Sequence, residues 1–223
     1  MCIRDSLNAY LDDYVYLANG LLELLQARWR TQDLYLACQL LDTLLTHFRD
    51  AGSHAFYFTS DDHETLLHRP RPLMDDAIPS GNAVAASALL AFGHLTGNEN
   101  YVVAAEQLLR ELVPACTRYP AGASALLEAE DDRLGEMEII VIRGKADTIM
   151  RWATPLHREY HPRRLIFAID ENTHDLPTLL ATRSSQEEPV AYVCRGFECS
   201  APLVGEHAFE AWKQSIVGEA TRS

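Results

Sequence analysis

The sequence predicts a mainly α protein: antiparallel hairpins of a partial (α/α) barrel, or toroid, followed by a small α/β segment. Three observations predict it. Apolar residues recur at helical spacing in successive segments before residue 135. One of these, from Ser80 to about Thr96, is so rich in alanine and so poor in charge that neighbours can approach on nearly every side, which marks an interior helix. After Gly135 the pattern changes to short continuous apolar runs, as in strands covered on both faces, alternating with helical stretches.

Taken in order, the first six residues match nothing that follows and read as a non-native start. Tyr14, Leu17, Ala18, Leu21, Leu24 and Leu25 then define a first helix, with Asp12 and Asp13 where acids favour the helix dipole. Thr31 is the expected cap of a second, which carries Leu34, Ala37, Leu41, Leu44 and Phe48 on one stripe and a polar back. Residues 56–59 and 65–68 read as a short β-hairpin around Ser60-Asp61-Asp62-His63.

Pro79 biases Ile78 away from helical angles, and Ser80 can cap the interior helix behind it. Gly97 is the expected left-handed stop and Asn98 the cap of the next helix, which Pro114 ends or kinks. A fifth, shorter helix follows Tyr119-Pro120-Ala121-Gly122. The order is thus inner, outer, inner, outer, inner, with turns short enough for antiparallel neighbours. Beyond it, residues 138–142, 164–169 and 190–194 read as strands separated by helices, which implies a small parallel sheet. A last helix is expected from Glu206 to about Ile216. The expected divisions are 1–6, the helical hairpins of 7–134, and an α/β subdomain of 135–223 carrying a C-x4-C pair.

Composition excludes several function classes. A formal net charge of −13, with no basic stripe to offset it, repels nucleic acid and anionic membranes. No apolar run is long enough to cross a bilayer, and the N-terminus has no apolar signal core. Five scattered cysteines suggest a reducing cytoplasm rather than a disulfide framework. The nine histidines show no ligand spacing, so neither a metal nor a cofactor is expected.

Four stretches occur together in a telling order: Leu11-Asp12-Asp13-Tyr14, Tyr57-Phe58-Thr59-Ser60, Pro79-Ser80-Gly81-Asn82-Ala83, and the run from Tyr192 through Cys194 and Cys199 to Pro202. In this the chain resembles the C-terminal part of the YyaL-like family, also called the spermatogenesis-associated protein 20 family. The resemblance implies a thioredoxin-like domain followed by a six-hairpin barrel similar to the N-acylglucosamine 2-epimerases. It also implies that this chain holds about the last half of the barrel and lacks the thioredoxin-like domain. Three hairpins do not close a six-hairpin ring, so an apolar face prone to association is expected.

The candidate chemistry follows the helix starts. Asp12, Asp13, Asp75 and Asp76 open helices expected to be inner, and two carboxylates of separated pKa can act as acid and base on a sugar. Each is equally at home as a cap or first-turn dipole partner. Ser80 and Asn82 can bind a sugar hydroxyl or simply build a turn, and Tyr14 and Tyr57 can stack on a sugar or pack in the core. Cys194 and Cys199 can pair, join a metal site or sit as small hydrophobes. Two functions are therefore expected: a carbohydrate-active or sugar-binding module for a sugar-like small molecule, or a thiol redox accessory that scaffolds the missing thioredoxin-like domain.

Overall fold

Leu11, Val15, Ala18, Leu22 and Leu25 follow helical spacing, and all are buried along one stripe of α1 (Leu11–Ala27). The computed structural model describes residues 9–49, 52–63, 66–135 and 137–220. Eight α-helices and five short strands lie among these residues, so the protein is mainly α. The chain divides into two units. One comprises Met1–Glu23, Gln32–Gly93 and Asn98–Gly135; the other comprises Leu24–Thr31, His94–Gly97 and Glu136–Ser223. The expected non-native start lies outside the described residues.

In the first unit, α2 (Thr31–His47) buries Leu34, Ala37, Leu41 and Leu44 and leaves its other face to solvent. The alanine-rich α3 (Gly81–Thr96) is buried along nearly its whole length, as the absence of charge and bulk requires. Ser80 caps it, its Oγ accepting from the Ala83 N–H at 3.2 Å. Gly97 closes it with a φ of 78°, a value that only glycine adopts cheaply. Asn98 then caps α4 (Glu99–Cys116) through the Asn100 N–H at 3.1 Å. Pro114 lies within α4, which runs on to Cys116. A 3-10 turn at Pro120–Gly122 leads into α5 (Ser124–Leu134).

The hairpin expected at residues 56–59 and 65–68 does not form. Thr65 lies outside the described residues, and Phe56 makes only an isolated bridge with Arg49. The backbone donors of this stretch are committed elsewhere: Phe56 N–H to the Asn82 side chain at 2.8 Å, Tyr57 N–H to the Phe48 carbonyl at 2.9 Å, and Phe58 N–H to the Pro70 carbonyl at 2.8 Å. A segment whose donors reach three different places cannot also zip to a partner strand. Thr31, the expected cap of α2, has its hydroxyl oxygen engaged by Trp29 Nε1 at 3.4 Å.

The second unit is built on β1 (Glu138–Gly144), whose β-branched run is buried at every position. β2 (Arg164–Asp170) pairs with it in parallel across α6 (Ala146–His157), the crossover that parallel pairing needs. β3 (Val190–Arg195) lies on the other edge of β1 and is antiparallel, which corrects the expected all-parallel sheet. Between β2 and β3 the only helix is the five-residue α7 (Thr178–Thr182), too short to carry a crossover. Two short strands complete the mixed sheet against β3: β4 (Glu198–Cys199) and β5 (Leu203–Val204).

One face of this sheet packs Ile140, Ile142, Ile166 and Val193 against Trp152 of α6 and Phe209 of α8 (Gly205–Ala220). The Trp152 and Phe209 rings stack at 4.2 Å. On the opposite face, Trp29 meets Phe167 edge-on at 5.8 Å.

Candidate functional site

The first unit gathers the starts of α3 and α5 around Asp75. This carboxylate accepts from the Ser80 N–H with Oδ1 at 2.9 Å and from the Ala125 N–H with Oδ2 at 3.0 Å. One side chain therefore satisfies orphan donors at the start of α3 and of α5, the latter fifty residues from Asp75 in sequence, and places two positive helix ends against one negative charge. Its own N–H donates to the Gly122 carbonyl at 2.8 Å, which fixes it in place.

The start of α1 meets the same place. A Cβ on Gly81 would fall 2.3 Å from Asp12 Oδ1 and 2.9 Å from the Leu11 side chain, so only glycine lets α3 begin there. Asp12 Oδ1 is shut off from solvent and has no hydrogen-bond partner. Desolvation, followed by the neighbouring Asp13 charge, pushes the Asp12 carboxyl above the ordinary carboxylate range. Tyr16, one turn further along α1, donates to the Pro79 carbonyl at 2.7 Å. Its pKa is raised by desolvation and then by the charges of Asp12 and Asp75, so both carboxylates face one phenol. The chemical result is a carboxyl of raised pKa, next to a phenol and a carboxylate that is fully hydrogen-bonded.

The other candidates fall into different places. Asp13 accepts from the Tyr10 N–H at 2.8 Å and braces the start of α1, while Asp76 is exposed. Asn82 is fully buried and all its bonding capacity goes to backbone: it accepts from Phe56 N–H and donates to the carbonyls of Phe56 at 3.1 Å and Pro72 at 2.9 Å. Tyr14 packs edge-on against Phe48 at 5.1 Å. Tyr57 lies apart from the aspartates, beneath the Arg69 guanidinium at 4.1 Å, in a hollow of about 630 Å³ shared with Leu67, Arg71 and Glu111. Desolvation works to raise the Glu111 pKa, but hydrogen bonds from Ser53 and His54 N–H outweigh it and hold the carboxyl below its usual value.

In the second unit Cys194 and Cys199 are joined as a disulfide across the β3–β4 pair. The hairpin between them turns at Gly196, whose φ is 57°. Cys194 is buried, Cys199 is exposed, and Arg183 Nη2 donates to Cys199 Sγ at 3.7 Å.

Sequence reasoning missed Tyr16, although its position four residues after Asp12 on α1 puts both on one helix face. It also missed an exposed group in which His47 Nδ1 lies 2.8 Å from Asp61 Oδ1, with Asp62 adjacent. No short motif links these three, because a turn fourteen residues downstream folds back on the end of α2.

Helical hairpins with polar helix starts, together with a small mixed sheet stapled by a disulfide, define a mainly α protein with an α/β unit. No family model matches the chain. It is similar to human spermatogenesis-associated protein 20, with 28% identity over 204 residues, and to the rat and mouse proteins of that name at 26%. The match covers 87% of this chain and 26% of each relative, so the chain spans about a quarter of their length. These matches support the resemblance to the spermatogenesis-associated protein 20 family.

Proposed function

We propose that the helix mouth around Asp12 and Asp75 is a site for a sugar-like small molecule, and that the chain is the helical part of a carbohydrate-active protein. The observation that carries this is the solvent-shielded, unpartnered Oδ1 of Asp12, set beside the start of α3 and within electrostatic reach of Tyr16. A carboxyl of raised pKa is suited to donate a proton to a leaving or ring oxygen, with an exposed carboxylate such as Asp76 as the complementary base. The helical hairpins are then part of a six-hairpin toroid completed in the longer relatives, and the protein works in the cytoplasm. A thermal-shift panel of hexoses and N-acylated hexosamines tests the proposal. At least one sugar raises the Tm of the wild type and leaves Asp12→Asn unmoved; a panel without any shift counts against it.

A second function is favoured by the disulfide. An external dithiol, as on a thioredoxin-like domain, attacks the exposed Cys199 sulfur with one thiolate, and Cys194 leaves as a thiolate. The second thiolate resolves the mixed disulfide, so two electrons reach the Cys194/Cys199 pair and the donor ends as a disulfide. Arg183 stabilises the thiolate formed at Cys199. Thiol counting after incubation with reduced thioredoxin is the test; a pair that remains oxidised rejects this function.

A further inference from the structure

The sheet buries two guanidinium groups that form no ion pair among the described residues. Arg143, near the end of β1, is 5% exposed, and its Nε and Nη1 have no hydrogen-bond partner. Arg183, just after α7, is 4% exposed, and its Nε and Nη1 are likewise unpartnered; among the described residues it makes a weak hydrogen bond to Cys199 Sγ. Guanidinium does not shed its proton in a protein, so both sites hold a buried positive charge. Leaving such a charge without a counter-ion is among the most costly things a fold can do.

The two arginines belong to one face of the sheet. In the β1–β3 register Arg143 pairs with Val190 and Val141 with Tyr192, which makes Arg143 and Tyr192 diagonal neighbours on the same side. Cys194, two residues beyond Tyr192, continues that row and is bonded to Cys199, the atom that Arg183 reaches. The Tyr192 hydroxyl donates to the Ser184 carbonyl at 2.8 Å, next to Arg183 in sequence, and Tyr192 interacts electrostatically with both guanidiniums. Among the described residues, the acid that acts on Arg143 is Asp170, and its Oδ1 is already taken by the Asn172 N–H at 2.8 Å and by Asn172 Nδ2 at 3.0 Å. Among the same residues, the charge acting on Arg183 is that of Tyr192.

We propose that Arg143 and Arg183, with Tyr192 between them, form a binding site for a small oxyanion, a phosphate or carboxylate group of a ligand, beside the Cys194–Cys199 disulfide. The guanidinium fork is matched to two oxygens of such a group, and the unpartnered Nε and Nη1 of each arginine are the donors it uses. Arg183 is shared with the proposed thiol function, while the sugar function does not enter into this site.

The test measures the Tm of the 223-residue chain with millimolar inorganic phosphate or malonate, against chloride at matched ionic strength. One of the two oxyanions raises the wild-type Tm by several degrees and saturably, and the better of them tells a phosphate ester from a carboxylate ligand. Arg143→Met and Arg183→Met lose that response. Without oxyanion, Arg183→Met is at least as stable as the wild type, because a buried unpaired charge has gone; a purely structural arginine would give the opposite. Wild type that responds to neither oxyanion, or a response kept in both Arg→Met variants, overturns the proposal. Should either variant fail to fold, Arg→Lys at the same position takes its place, and the wild-type arm alone remains decisive.

Discussion

The helix mouth of the first unit and the sheet of the second treat buried charge in the same way but end with opposite signs left over. At the mouth, Asp75 is used up by two helix starts, while Asp12 keeps an oxygen that nothing in the fold satisfies. In the sheet, Glu138 is used up by Arg164 at 2.5 Å and Arg195 at 3.2 Å, while Arg143 and Arg183 remain. The satisfied groups hold the backbone together. The leftover groups are costly to the fold, and that cost points to sites: an acid of raised pKa in one unit, an oxyanion receptor in the other.

Four perturbations can break or sharpen this contrast. The largest effect is expected at the paired end of the sheet. Glu138→Gln takes the buried acid from Arg164, whose side chain is 5% exposed, leaves it the longer pair with Glu159 at 3.8 Å, and should cost about 3 kcal/mol in urea denaturation. A loss below about 1 kcal/mol would mean that the pair is not buried as described. Next, Asp75→Ala removes both helix caps and should cost about 3 kcal/mol, with hydrogen exchange rising at the starts of α3 and α5 together. Exchange that rises at only one start would separate the two.

Reduction of Cys194–Cys199, which spans only five residues, should cost about 2 kcal/mol by loop-closure entropy, read as a shift in urea midpoint with and without reductant. The smallest effect carries the opposite sign. The folded Asp12 carboxyl binds its proton more tightly than the unfolded one, so this group favours the fold below its ordinary value of 3.8. That contribution is lost as pH rises through the elevated folded pKa. Asp12→Asn should therefore be as stable as wild type or slightly more so at neutral pH, and should flatten the stability profile just above pH 4. A destabilised variant at neutral pH would assign Asp12 to the structural group with Asp75.

Much of this was legible from local chemistry. The alanine run of α3, the Ser80 cap, the Gly97 stop and the Asn98 cap each follow from one or two residues and their neighbours. What stayed hidden depended on distant partners. Phe56-Tyr57-Phe58-Thr59 has strand-like composition, but Asn82, Phe48 and Pro70 take its backbone donors. The direction of β3 is not encoded in an apolar run, only in how much chain lies between it and β2. Asp75 reads as a first-turn acid, and its second bond to Ala125 is invisible until α5 is folded against it. Asn82, expected at a ligand, ties Phe56 to Pro72 instead. Arg143 looks like the polar end of a strand, and nothing in its neighbours shows that its Nε and Nη1 will be buried without a hydrogen-bond partner.

The charge left over at the mouth can be observed directly by following the Asp12 side-chain carboxyl with carbon NMR across acidic pH, using Asp12→Asn to assign the signal. A midpoint above 3.8 that moves further when a stabilising sugar is added is the predicted result. A midpoint at or below that value, unchanged by every sugar tested, would contradict it.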